Sequence, residues 1–427
     1  MEIKQKTNSF LNETIYEAHH PSGCEIYLLN KPGFHNYYAV FATDYGSVDS
    51  SFRAPGESAA STVPDGIAHY LEHKMFEEPD RNIFDDFAKQ GANANAFTSS
   101  EMTAYLFSCT EHFEENLKTL LHYVQNPYFT DENVEKERGI IGQEIRMYDD
   151  HPYWRVTYNF LGLLYHNHPV KLDTAGTVES IAEINKELLY RCYSTFYHLS
   201  NMSLFIVGDL DVEKTFQLVF DHLKDQKYPG EIERIYPEEP NSVCGREKTQ
   251  YLPVAMPMSI LGFKETFFPK NSEGIMKRQI ETELVLEMLF GKSSAFYEKY
   301  YQQGLINDSF STAYESGKGY AYSEIFAETP DPEKLYAAVM EEIRRARREG
   351  LCEADFERTK KALYGAYIMD FDHGDDFANS YVSWKFKGID MFDFDGVYRT
   401  MTFADLNRRF EEHFIDDNAV LSVVRSK

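Results

Sequence analysis

His69-Tyr70-Leu71-Glu72-His73 is the stretch on which the reading of this chain turns. It sits in a helix-patterned run, residues 67–76, behind a Pro/Gly/Ser/Ala-rich segment at 54–66. On a helix, positions i, i+3 and i+4 share one face, so both imidazoles and the carboxylate converge on one point. Two such histidines can hold a divalent zinc ion, Zn2+, while the carboxylate stands beside its bound water. With 14 histidines in 427 residues, an H-x-x-E-H arises by chance in roughly one chain of twenty. The pentapeptide therefore needs a third ligand from elsewhere. A helix expected over 131–148 carries Glu132, Glu135, Glu137 and Glu144. Glu137 and Glu144 are two turns apart on one face, and physical chemistry alone leaves the choice between them open. Glu132 and Glu135 read as solvated charges on an amphipathic helix.

Composition narrows the function classes. Lys and Arg total 43 against 69 Asp and Glu, a formal charge of −26. That balance argues against a nucleic-acid binder and against docking on an anionic membrane surface. Apolar residues at 43% and aromatics at 15% make the chain too core-rich for disorder. No run approaches the 18 apolar residues of a membrane-spanning helix, and the first twelve residues lack a secretory apolar region. Five scattered cysteines without a C-x-x-C pair indicate neither a disulfide framework nor a cysteine zinc site. A reducing, cytoplasmic compartment is the expectation.

Periodicity organises the rest. Strands are expected at 24–29 and 37–43, two more around a turn at 94–109, and a buried one at 201–208. Helices are expected at 82–90, 111–124, 178–196 and 215–223. Residues 226–249, with Pro229, Gly230, Pro237 and Pro240, read as a linker. Beyond them come strands at 254–264, 308–314 and 319–326, helices at 274–290, 332–348, 353–367, 374–385 and 403–413, and a last strand at 419–424. The two halves share an element order. The expectation is an α+β fold of two homologous domains, 1–225 and 250–427, joined by the linker 226–249.

Three segments together carry a resemblance. They are Gly66-Ile67-Ala68-His69-Tyr70-Leu71-Glu72-His73-Lys74-Met75-Phe76, then Gly91-Ala92-Asn93-Ala94-Asn95-Ala96-Phe97-Thr98, then Glu137-Arg138-Gly139-Ile140-Ile141-Gly142-Gln143-Glu144. In order and spacing the chain resembles the pitrilysin/insulinase family of inverted-zincin (H-x-x-E-H) metallopeptidases. The resemblance is specific over 54–150, fair to about 208 and architectural beyond. Length is similar to that of the short branch, which holds mitochondrial processing peptidase and its bacterial relatives. The resemblance implies two α/β-sandwich domains, each a mostly antiparallel sheet covered by helices. It also implies His69, His73 and Glu144 as zinc ligands, Glu72 as general base, and Glu137 in support of the site. Asn95 and Ala96 fall on a strand whose edge, in the family, pairs with an extended substrate. Phe76 matches an apolar wall beside the scissile bond, although a plain core Phe fits as well. The implied activity is zinc-dependent endopeptidase cleavage of peptides or unfolded segments inside a closed chamber.

One departure bears on partners. The family's second domain supplies an Arg and, about seven residues on, a Tyr that hold the substrate backbone. Here Tyr301 and Asn307 stand near those places after Ser293-Ser294, and no arginine occurs between Arg278 and Arg344. The expectation is the zinc-bearing subunit of a heterodimer whose homologous, non-catalytic partner supplies both residues; otherwise Lys299 or Tyr301 substitutes in a lone chain or homodimer. The alternative function class is a non-catalytic scaffold subunit of the same fold. An intact His69, Glu72, His73 and Glu144 favours the enzyme. His166-Asn167-His168 reads as a polar loop, and Gly317-Lys318-Gly319 lacks the helix a phosphate loop needs.

Overall fold

The alternating run around residue 40 becomes Tyr37–Thr43, a central strand buried along nearly its whole length. The computed structural model describes residues 1–9 and 11–427. It divides into two compact units. The first holds Met1–Ile145, Asp173–Ile235 and Ile368–Asp390; the second holds Arg146–Leu172, Tyr236–Tyr367 and Met391–Lys427.

The first unit is built on a seven-stranded sheet. From edge to edge its strands are Lys4–Asn8, Glu13–His19, Glu25–Asn30, Met202–Gly208, Tyr37–Thr43, Thr103–Cys109 and Asn93–Thr98. All neighbours are antiparallel except Glu25–Asn30 beside Met202–Gly208. The second unit repeats five of these places, with Glu247–Tyr251, Ala419–Arg425, Met258–Lys264, Tyr320–Glu328 and Ser311–Gly317. Its one parallel pair, Glu247–Tyr251 with Ala419–Arg425, occupies the matching position. The duplication expected from element order is thus a duplication of sheet topology.

The units do not follow the linear division at 226–249. Glu233–Arg234 pairs with Ser51–Arg53 in the first unit, and Glu247 already begins a strand of the second. Each half of the chain also contributes a helix to the other half's sheet. Pro152–Leu164 turns Val156, Phe160 and Leu164 inward. Val156 O accepts from Ser422 Oγ at 2.8 Å, and a Cβ on Gly262 would come within 2.6 Å of the Phe160 ring. In the first unit, Gly374–Phe386 sets Phe377 and Tyr381 against Phe205, and Tyr381 against Tyr27. Tyr38 Oη donates to Asn379 Oδ1 at 2.9 Å. The physical reason is that a sheet's apolar face must be covered, whichever part of the chain supplies the cover.

Smaller differences are local. The helix expected over 178–196 is two, Val178–Ala182 and Lys186–Phe196, because Asn185 caps the second through Leu188 N. Pro152–Leu164 and the strands Lys4–Asn8 and Glu13–His19 were not expected. No helix among the described residues is long and apolar enough to cross a membrane.

Candidate metal centre

Ile67–Lys74 starts at Gly66, whose φ of +89° L side chains rarely adopt. A Cβ there would come within 2.4 Å of Ala175 O, so the entry to the helix admits only glycine. The helix is tied to Asp131–Asp149 by Tyr70, whose hydroxyl donates to Val134 O. That tie sets the two helices in register. His69 Nε2 then lies 3.8 Å, and His73 Nε2 3.5 Å, from Glu144 Oε2.

These three residues form the one cluster of metal-ligating type among the described residues, with donor atoms mutually within 4.8 Å. Tetrahedral donors about 2.0–2.1 Å from a zinc ion stand about 3.3 Å apart, so the spacing suits such an ion. Two imidazoles and a carboxylate also match the zinc donor set. His69 Nδ1 is buried without a hydrogen-bond partner. Burial, then the neighbouring His73, hold the His69 ring down to about 3, which keeps it neutral with a lone pair to give. Of the two carboxylates that shared a face, Glu144 meets both Nε2 atoms, and Glu137 stands behind His73.

His73 Nδ1 donates to Glu137 Oε1 at 3.0 Å. Burial alone would lower His73, but the Glu137 hydrogen bond and the charges of Glu72, Glu144 and Glu137 raise it above its ordinary value. Glu137 answers in kind: burial acts upward, yet His73 and Lys74 hold it low. Lys74 has no exposed side-chain surface and lies between Glu77 and Glu137 Oε2, the latter 3.8 Å away.

Glu72 is buried beside the cluster, and Thr98 Oγ1 donates to its Oε2 at 2.7 Å. Burial raises its carboxyl, while the Thr98 hydrogen bond and His73 pull the other way. Thr98 and Lys74 stand in the segments that carry the resemblance, but the sequence assigns neither a role. Nothing in strand alternation singles out Thr98, and a lysine beside a metal-ligand motif reads as a surface charge until its burial is seen.

Asn95 and Ala96 lie on Asn93–Thr98, which is an edge strand of the seven-stranded sheet. Asn95 is exposed, and its Oδ1 accepts from Ala96 N at 2.9 Å. Phe76 is buried, stacked on Phe84 at 4.2 Å and packed near Tyr123 and Tyr105, the surroundings of a core side chain. Glu132 and Glu135 are exposed. In the second unit Ser294 caps Ala295–Gln302, Tyr301 is exposed and stacks on Tyr297, and Asn307 Oδ1 accepts from Ser309 N. The backbone N–H groups of His166, Asn167 and His168 all donate to the Glu239 carboxylate. Both His168 ring nitrogens are used, on Lys318 O and Val170 N.

Comparison with known proteins adds to this geometry. Residues 56–178 match insulinase (peptidase family M16), and residues 183–363 match the peptidase M16 inactive domain. The chain is 41% identical over 419 residues, 98% of each chain, to "Uncharacterized zinc protease YmfH" of Bacillus subtilis (strain 168). A crystal structure described as an M16-like peptidase from Alicyclobacillus acidocaldarius is similar with a TM-score of 0.93 and 37% identity, covering 100% of this chain and 99% of that one. A protease from Helicobacter pylori shares the fold at 18% identity, with a TM-score of 0.80 over 99% of each chain.

Proposed function

The chain belongs to the insulinase family of peptidases (M16), and from that premise we propose that it is a zinc-dependent endopeptidase acting on peptides or unfolded segments. The observation that carries the reading is the convergence of His69, His73 and Glu144 beside a buried Glu72. A zinc ion held there would supply Lewis acidity, acidifying water and polarising the scissile carbonyl. The side chains divide the remaining work. Glu72 takes the proton of the attacking water and returns it to the leaving amine; a carboxyl raised by burial is suited to both acts. Glu137 fixes the His73 ring through Nδ1, leaving Nε2 for the metal. The edge strand Asn93–Thr98 offers backbone groups to an extended peptide, so affinity demands little of its sequence.

A missing arginine supports our reading of the partner. With no arginine between Arg278 and Arg344, the substrate clamp of the family is incomplete. The reading is therefore the zinc-bearing subunit of a heterodimer, in the cytoplasm, with a homologous chain that carries Arg and Tyr but no H-x-x-E-H. Full peptide cleavage by the purified chain alone rejects the heterodimer.

Elemental analysis and one substitution test the chemistry. One zinc per chain is expected, and Glu72→Gln is expected to keep the zinc and hydrolyse nothing. A metal-loaded Glu72→Gln protein that still cleaves peptide sinks the assignment. No bound metal and no chelator effect favour the scaffold reading, which the missing arginine supports.

A further inference from the structure

We propose that Thr98 is a positioning residue for the general base, tying Glu72 to the strand that would receive the peptide; this rests on the peptidase reading above. Thr98 Oγ1 donates to Glu72 Oε2 at 2.7 Å, and it is the one hydrogen-bond donor to that carboxylate among the described residues. The bond engages Oε2 and not Oε1. Thr98 is also the last residue of the edge strand Asn93–Thr98, in register with Thr103 across the hairpin. Thr103 is fully buried, donates to Tyr45 O at 2.9 Å and stands 3.5 Å from Thr98 Oγ1. The Thr98 hydroxyl therefore sits on a fixed support.

A glutamate side chain turns about three bonds, and a base displaced by about 1 Å can lose 100-fold in rate. Thr98 removes that freedom at one oxygen only. Because its backbone belongs to the same edge, a peptide pairing there steadies Thr98, and Thr98 steadies the base. Strand docking and proton abstraction thereby share one residue.

The test uses the zinc-loaded full chain, with its partner where turnover needs one, as wild type, Thr98→Val, Thr98→Ser and Glu72→Gln. Valine matches threonine in shape and suits a strand, so the hydroxyl alone is removed. Two readouts are taken: kcat and KM on an internally quenched peptide, and the Kd of a peptide hydroxamate, whose N–OH group hydrogen-bonds a neighbouring base without turnover. Thr98→Val is expected to lower kcat about tenfold or more, with KM within about twofold, zinc content unchanged and hydroxamate binding about tenfold weaker. Thr98→Ser is expected to restore both. A Thr98→Val protein equal to wild type in both readouts overturns the proposal. So does a loss that serine fails to restore, or one that comes with lost zinc. A wild type that binds neither zinc nor hydroxamate overturns the peptidase reading itself and this role with it, an outcome the wild-type control separates from the others.

Discussion

His73 Nδ1 and Glu137 Oε1 lie 3.0 Å apart, and each pushes the other toward its charged form against the pull of burial. The hydrogen bond decides which ring nitrogen faces Glu144, because Nδ1 is spent and Nε2 remains. Carboxylates behind a metal-binding histidine raise its basicity and hold its orientation, and their loss costs about 10- to 100-fold in metal affinity. Glu137→Gln, which keeps an acceptor but no charge, is expected near the lower figure. Glu137→Ala is expected near the upper one. Competition with a chromophoric chelator measures both, and an alanine variant with wild-type zinc affinity removes Glu137 from the centre.

Gly66→Ala tests the entry to the metal helix. The substitution forces an L residue to φ +89° and drives a methyl toward Ala175 O. Strain of this kind costs about 1–3 kcal/mol before the clash is counted. Urea unfolding should show at least that loss, together with weaker zinc binding as the helix start shifts. An unchanged midpoint means the turn relaxes freely.

The centre was legible in the sequence because its geometry is local. Spacing of three and four puts His69, Glu72 and His73 together, and spacing of seven puts Glu137 and Glu144 on one face. Which of those two glutamates meets the imidazoles was not local, since it depends on how two helices cross, and the family resemblance supplied it. Phe76 shows the same limit from the other side. An aromatic residue at a helix end reads equally as wall or core, and the rings of Phe84, Tyr105 and Tyr123 that pack around it come from segments distant in sequence or unread by helix spacing. Pro152–Leu164 is plainly amphipathic once seen, yet its apolar stripe states that it covers a sheet and not which one.

That non-local cover has a consequence for truncation. A fragment ending near residue 235 keeps every strand of the first unit's sheet but loses Gly374–Phe386. Phe377, Ala378, Tyr381 and Val382, all buried, go with it, and so does the shelter of Tyr27 and Phe205. Burying one large apolar side chain stabilises by about 1.5–3 kcal/mol, so the loss rivals the whole stability of a domain. The fragment should aggregate or bind a hydrophobic dye, and co-expression with residues 236–427 should restore a soluble pair. A monomeric, cooperatively unfolding fragment contradicts the shared cover.

Glu239 gives the chain an acid-sensitive latch in the second unit. Burial pushes its carboxyl up, but the Lys264 ammonium at 2.6 Å and the N–H groups of His166, Asn167 and His168 outweigh burial and hold it at about 2. A carboxyl depressed from an ordinary 4.5 binds its proton more weakly folded than unfolded, so it stabilises the fold above pH 4.5. That contribution fades as pH falls from 4.5 toward 2. Lys264 is almost wholly buried, and Glu239→Gln would leave its ammonium without a counter-charge, at a cost of about 3 kcal/mol near neutrality. Denaturant midpoints for wild type and Glu239→Gln should therefore differ most above pH 5 and draw together on acidification. A gap that stays constant from pH 7 to pH 3 assigns the loss to packing, because only a charge on Glu239 makes the difference depend on pH.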